Sequence, residues 1–288
     1  MPEERKSREE REWQVPLPGA TIAGSTRTGL HDQAREVGKT GADGQAAADV
    51  PLVCIHGFGG ARHDWDGLAA ALPARRTLIR YDMRGFGASQ ADFETPYSHA
   101  DDLLAVLDAL ALERIDLCGM SLGGATALDF ALSHPERVNR LVLVSPLMVG
   151  WHWSEDWIAR WKAIGAAARG GDMEQARKLW WEHPLFEATR ESPSAQTLHD
   201  GIAAYHGRHW VTDPQRRAAP DAERLDRLAI PTLLLTGTRD IADFQLIAGA
   251  IAAAAPQVTR CEYADAGHML NLELPERIAR DIERFLES

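Results

Sequence analysis

Residues 115–125 read Ile115-Asp116-Leu117-Cys118-Gly119-Met120-Ser121-Leu122-Gly123-Gly124-Ala125, and the fold follows from them. Ile115 to Cys118 read as a strand, and residues 122–133 as a helix that stops before Pro135, because the residue ahead of a proline disfavours helical geometry. Between strand and helix lies a G-x-S-x-G pentapeptide, Gly119 to Gly123. A chain that leaves a strand and enters a helix within one residue holds that residue in a strained backbone conformation. Neighbours two positions away must then be small, and Gly119 and Gly123 are. A serine so placed shows its hydroxyl at the carboxyl end of the strand, which is the geometry of a nucleophile elbow.

The flanks repeat this alternation. Upstream, Pro51 opens the apolar run Leu52-Val53-Cys54-Ile55, which ends in His56-Gly57-Phe58-Gly59-Gly60. Residues 64–72 suit a helix, Thr77 to Tyr81 a strand ending at Asp82, and 98–111 a helix with Leu103, Leu104, Val106, Leu107 and Leu110 at helical spacing. Downstream come a strand from Val138 to Ser145, then strand, helix, strand and helix at 231–236, 243–255, 258–263 and 275–287, with Pro275 in the first turn of the last. Strands apolar throughout and alternating with helices imply an α/β fold: a mostly parallel, doubly wound sheet covered on both faces.

The core is expected in two pieces, 13–146 and 228–288. Residues 1–12 are crowded with charge and read as a disordered tail. Residues 13–30 read as two short strands with turns at Pro18-Gly19 and Gly24-Ser25, and 31–49 as an edge loop. Between Ser145 and Pro231 the alternation stops. Residues 147–227 carry helical patterns broken by Gly170-Gly171, Pro184, Pro193 and Pro214, which implies a helical cap at the strand ends where such sheets bind ligands.

A serine hydroxyl is a poor nucleophile near neutral pH, so it needs a base, and the base an orienting carboxylate. Of the 11 histidines, His268 follows the last strand and lies at the same sheet end as Ser121. The acid is expected after the preceding strand, at Asp240, with Asp243 as its rival. A developing oxyanion needs two N–H donors. Leu122 supplies one at the amino end of its helix, and Phe58 the other, after His56-Gly57. His56 is expected to brace this loop. His206 and His209 read as surface or pocket lining of the insertion rather than a metal pair.

Other readings fail on particular residues. Ala125 stands where a phosphate loop needs lysine. The G-x-G segments at 57–59 and 85–87 are followed by Arg62 and Gln90 where a dinucleotide site needs a small residue, so no nucleotide, organic cofactor or metal is expected. A net charge of −11 argues against nucleic acid and anionic lipid. No apolar run reaches the roughly 18 residues of a membrane span. Cys54, Cys118 and Cys261 read as buried free thiols, and with the charged N-terminus they point to the cytoplasm.

Seven of the nine tryptophans fall within 147–227. Trp153, Trp157 and Trp161 repeat every four residues along one helix face. Trp180 and Trp181 cannot share a face, so at most one of them points inward. Trp153, Trp157, Trp181 and Met269 are taken as substrate-binding candidates.

Taken in order, His56-Gly57-Phe58-Gly59-Gly60, Tyr81-Asp82-Met83-Arg84-Gly85-Phe86-Gly87-Ala88-Ser89, the Ser121 elbow and Gly267-His268 resemble the α/β-hydrolase superfamily. The resemblance covers residues 50–146 and 228–287, with a weaker match at 13–30. A serine at 121 departs from haloalkane dehalogenases and epoxide hydrolases, which carry aspartate there. Met-Ser-Leu-Gly-Gly is similar to enol-lactonases, small-ester carboxylesterases and carbon–carbon-bond hydrolases, and unlike the Gly-Gly-Ser-Trp-Gly of proline iminopeptidases. The resemblance implies a serine hydrolase that cleaves a carboxylic ester or lactone of a small, largely apolar molecule through an acyl-enzyme. Two alternatives stand beside it. One is a carbon–carbon hydrolase of a vinylogous diketone, whose carboxylate would call for a cation such as Arg160, Arg177, Arg190 or Arg208. The other is a ligand-binding receptor on the same scaffold.

Overall fold

A computed structural model describes residues 10–29, 50–216 and 218–288. Nine strands form one sheet: β1 Glu10–Leu17, β2 Ala20–Arg27, β3 Leu52–Ile55, β4 Leu78–Tyr81, β5 Gln90–Ala91, β6 Ile115–Met120, β7 Val138–Val144, β8 Thr232–Gly237 and β9 Val258–Tyr263. Their order is β1-β2-β4-β3-β6-β7-β8-β9, with β5 beside β2. From β4 to β9 the pairing is parallel, while β2 meets β1, β4 and β5 antiparallel. Every residue of β3, β4, β6 and β8 is buried, so both faces of the central sheet are covered, as a parallel sheet requires. The expected α/β architecture and strand alternation are what the structure has.

The helices between the parallel strands are α1 Asp66–Ala71, α2 His99–Ala109 and α3 Leu122–Ser133, with α9 Ala242–Ala254, α10 Leu270–Glu273 and α11 Pro275–Leu286 towards the end. Between β7 and β8 lie α4 Glu155–Arg169, α5 Met173–Trp181, α6 Glu187–Arg190, α7 Ala195–Ala204 and α8 Arg208–Val211. Two of these begin on side-chain caps: Ser154 accepts from Trp157 N and Asp172 from Gln175 N. Such caps satisfy amide groups that a helix start leaves unpaired.

Two local expectations fail. Residues 10–12 are not tail but the start of β1, where Glu10 pairs with Arg80 and Glu12 with Arg62 at 2.7 Å. Gly24 and Ser25 do not turn; β2 runs through them, with Gly24 opposite Trp13 on one side and Tyr81 on the other. A Cβ at Gly24 would lie 2.3 Å from the Trp13 ring, so this glycine serves close packing. The turn at Pro18-Gly19 is present. The remaining tail residues, 1–9, and the loop expected at 31–49 lie outside the described residues.

Candidate active site

The site grows from the carboxyl ends of β3, β6, β8 and β9. Ser121 sits between β6 and α3 with φ 53° and ψ −113°, a positive-φ conformation that L-residues rarely adopt. Backbone bonds hold it there: Ser121 N donates to Val144 O at 3.0 Å, and Ser121 O accepts from Leu147 N at 2.9 Å. A Cβ at Gly119 would lie 2.1 Å from Gly123 O, and one at Gly123 would lie 2.4 Å from Ile55 O. The two glycines are thus a steric condition of the turn.

His268 follows β9 and is 1 % exposed. Its Nδ1 lies 2.8 Å from Asp240 Oδ2, in the loop after β8. Asp240 Oδ1 accepts from Ile241 N at 2.8 Å, which fixes the carboxylate. An ionised carboxylate only accepts, so Nδ1 carries the proton and Nε2 is left as the acceptor. Nε2 is buried without a hydrogen-bond partner among the described residues. Asp243 goes elsewhere: it accepts from Ser154 N at 3.0 Å and from Ser154 Oγ at 2.6 Å, tying the start of α4 to α9.

The loop after β3 is braced by His56. Met83 N donates to His56 Nε2 at 3.0 Å, and Nδ1 lies 2.7 Å from Gly57 O, so the ring is neutral with its proton on Nδ1. Burial holds its pKa below the usual histidine value. Asp82 adds a second brace, accepting from Arg62 N at 2.7 Å and Ala88 N at 3.0 Å while pairing with the Arg62 guanidinium at 3.0 Å.

These parts line one cavity of about 450 Å³ that holds Ser121, Leu122, Phe58 and His268 together with Met269. Its far wall comes from the helices between β7 and β8. Trp153 and Trp157 stack at 4.4 Å, and Trp157 lies parallel to Trp161 at 6.2 Å. All three line the cavity, with Phe244 reaching both the ladder and, at 4.3 Å, the His268 ring. Trp181 does not line it. It lies half-buried, edge-on to His199 at 5.2 Å, while Trp180, 3 % exposed, faces the cavity in its place. Neighbouring residues on a helix point about 100° apart, and the contact of α5 with α4 turns Trp180 inward.

Sequence reasoning missed four residues. Trp180 and Phe244 complete the aromatic wall. Asp64 lines the cavity beside Gly60. Glu273 accepts from Gly267 N and from Thr189 Oγ1, both at 2.6 Å, and so joins the His268 loop to α6. Glu273 stands five residues beyond His268 and in no motif, so the sequence carries no local signal for it.

Arg160, Arg177, Arg190 and Arg208 stay out of the cavity. Arg160 pairs with Asp156, Arg177 binds Tyr205 O, Arg190 binds Trp181 O and His183 O, and Arg208 lies over Phe93. Among the described lining residues the one Lys or Arg is Lys162, which is exposed. His206 and His209 point their Nε2 atoms at Gly85 O and Arg84 O, 2.6 and 3.1 Å away, and so fasten α8 to the turn after β4. Burial pushes His209 down to about 4. Among the described residues, no three His, Cys, Asp or Glu side chains gather for a metal, and no helix is long and apolar enough to cross a membrane. Cys54 and Cys118 are buried free thiols; Cys261, expected buried, is half-exposed.

Residues 50–275 match a family profile described as alpha/beta hydrolase fold. The chain is 27% identical over 248 residues to 3-oxoadipate enol-lactonase 1 of Acinetobacter baylyi, covering 83% of this chain and 90% of that one. It is 27% identical over 277 residues to 2-hydroxymuconate semialdehyde hydrolase of Pseudomonas putida, covering 92% of both. Among solved structures, the enol-lactonase of Burkholderia xenovorans LB400 superposes with a TM-score of 0.75 at 22% identity, over 96% of this chain and all of that one.

Proposed function

This chain belongs to the alpha/beta hydrolase fold family, and from that membership we propose that it is a serine hydrolase cleaving a carboxylic ester or lactone of a small, largely apolar molecule. Ser121 Oγ attacks the carbonyl carbon while His268 Nε2 takes its proton. Asp240 keeps the proton on Nδ1 and stabilises the imidazolium that forms. The N–H groups of Phe58 and Leu122 receive the oxyanion. The tetrahedral adduct collapses, the alcohol departs with the proton from His268, and Ser121 is left acylated. Water gives a proton to His268 and attacks the acyl carbon; the second adduct collapses, His268 returns that proton to Ser121 Oγ, and the acid leaves. The acyl group lies against Trp153, Trp157, Trp180, Phe244 and Met269. The reading needs no metal or organic cofactor, and its free thiols fit a cytoplasmic setting.

The observation that supports this reading most is the buried His268, bonded to Asp240 through Nδ1 and with Nε2 free on the cavity that Ser121 lines. The relative named an enol-lactonase fits it, and the relative named a semialdehyde hydrolase is the reason to weigh carbon–carbon cleavage. The cavity favours the ester or lactone. A vinylogous diketone brings a carboxylate, which needs a fixed cation when desolvated, and among the described residues the lining offers only exposed Lys162.

The test is turnover of a short p-nitrophenyl ester, a lactone panel and a dienoic diketone by wild type and Ser121→Ala. The reading expects ester or lactone hydrolysis that the variant loses. Wild-type turnover by Ser121→Ala would overturn the mechanism, and a dominant diketone activity would overturn the substrate class. Covalent labelling without repeated turnover would favour the receptor.

A further inference from the structure

A second cavity of about 710 Å³ lies against the first. Gly59, Gly60, Asp64, Thr197, Gly201 and Leu272 line both. Three of these six are glycines, so little side chain separates the two spaces. Their chemistry differs. The first is walled by aromatic rings. The second is edged by Ser194, Tyr205, His206 and Asn271 as well as Asp64 and Thr197.

Two residues that line this second space, Asn271 and Asp64, carry side-chain acceptors that donors among the described residues answer weakly or not at all. Asn271 is 1 % exposed, and its Nδ2 donates to Asp64 O at 3.0 Å. That bond fixes the amide, since turning it over would set oxygen against oxygen. Oδ1 is then buried with no partner among the described residues, which costs free energy until a donor reaches it. Asp64 lines both cavities and accepts only a long 3.3 Å bond from Ala61 N through Oδ2. It makes no ion pair among the described residues, whereas neighbouring Asp66 is engaged by Arg80 and His63. Burial, with Asp82 and Asp66 nearby, pushes the Asp64 carboxyl up to about 7.

We propose that the second cavity receives the alcohol half of the ester, and that Asp64 and Asn271 Oδ1 select an alcohol carrying further hydrogen-bond donors, a polyol or an ammonium alcohol. The inference rests on the serine-hydrolase reading. With the carbonyl carbon at Ser121, the acyl chain lies among the tryptophans and the alcohol points to the glycine-lined wall. A plain alkyl alcohol leaves both acceptors unanswered. A diol offers a donor to each, and an ammonium group would favour the ionised form of the Asp64 carboxyl and pair with it.

The experiment compares kcat/KM for three butanoate esters: propyl, 2,3-dihydroxypropyl and 3-(dimethylammonio)propyl. At least one donor-bearing ester should exceed propyl about tenfold, the size of effect that one hydrogen bond to a charged group gives. Asp64→Ala should bring that ratio towards one. Asp64→Asn, which keeps an acceptor without the charge, should spare a polyol preference and remove an ammonium preference. Wild-type ratios at or below one for both esters overturn the proposal, and so does a ratio unchanged in Asp64→Ala. The wild-type ratio decides even where a variant fails to fold. Flat ratios with hydrolysis that Ser121→Ala abolishes overturn this inference alone, and no hydrolysis of any ester overturns the functional reading with it.

Discussion

Ser121 and Trp180 line the same cavity, yet they are held there by different means. Ser121 is fixed by the backbone: its N–H bonds Val144 O, its carbonyl accepts from Leu147 N, and two glycines leave room for the turn. The Trp180 ring is placed by packing against other side chains. Its ring meets Phe186 at 4.8 Å, Trp161 at 5.8 Å and Phe58 at 6.0 Å. The sheet end is therefore a rigid frame that positions chemistry, and the helices between β7 and β8 are a packed wall that shapes what reaches it. Changes on the two sides should read out differently, in rate on one and in selectivity or stability on the other.

The largest expected effect lies in the frame. Ser121→Ala should lower kcat by a factor on the order of 10⁶, the scale seen when a hydrolase loses its nucleophile. The melting temperature should hold, since the backbone bonds that set the turn remain. Comparable loss from any single change in the tryptophan ladder would break the division between frame and wall.

Next comes the pair Asp240 and Asp243, which the sequence left as rivals. Asp240→Asn should cost about 10⁴ in kcat by upsetting the His268 tautomer, with little change in melting temperature. Asp243→Asn should leave kcat within tenfold and lower the melting temperature, because Ser154 at the start of α4 loses its anchor. The reverse pattern, measured by steady-state kinetics and calorimetry on both variants, would exchange their roles.

The same contrast explains what could be read in the sequence. The strands of the sheet, the elbow and the order Ser121, Asp240, His268 follow local rules: apolar runs, a turn that only glycine allows, a loop after each strand. β1 was missed at its start because Glu10, Arg11 and Glu12 look like solvated tail. Their reason to be in a strand is distant, in Arg80 and Arg62. Gly24 looked like a turn because the ring that needs its missing Cβ, Trp13, lies on the neighbouring strand. On the wall, helical periodicity showed that Trp180 and Trp181 diverge, but which one faces inward depends on where α5 meets α4. Asp64 and Asn271 gave no local signal, since neither stands in a motif and only the fold brings them together.

Trp180 and Trp181 make a sharper test of the wall. Trp180→Ala should cost about 3–5 kcal/mol of stability, as for a large buried aromatic, and widen the acyl range accepted. Trp181→Ala should cost less and leave the acyl profile unchanged, since its ring faces His199 and Arg190. Both should keep Ser121 reactive towards a small organophosphate. Chemical denaturation and an acyl-length series check the pair, and an altered profile in Trp181→Ala would return that residue to the site.

The smallest effect concerns how the wall is fastened. His209 bonds Arg84 O through Nε2, and its Nδ1 lies 3.1 Å from the Tyr205 hydroxyl. Burial pushes the ring down to about 4, against the ordinary value near 6.5. Between those pH values the unfolded chain takes up a proton that the folded one refuses. The stabilising contribution is therefore whole above about 6.5 and declines as pH falls towards 4. Asp64 and Asp221 act in the opposite sense. Their folded carboxyls are pushed up to about 7 and about 6, so their contribution is whole below the ordinary carboxylate value and lost as pH rises through the raised ones. The total pH slope mixes these signs, and only a difference isolates His209. In His209→Gln the amide can still donate to Arg84 O but does not titrate. The melting-temperature gap between wild type and this variant should shift against the wild type as pH falls from 6.5 to 4.5. A gap that stays constant over that range would mean that this fastening does not sense the proton, and the wall would then be held against acid as firmly as the frame.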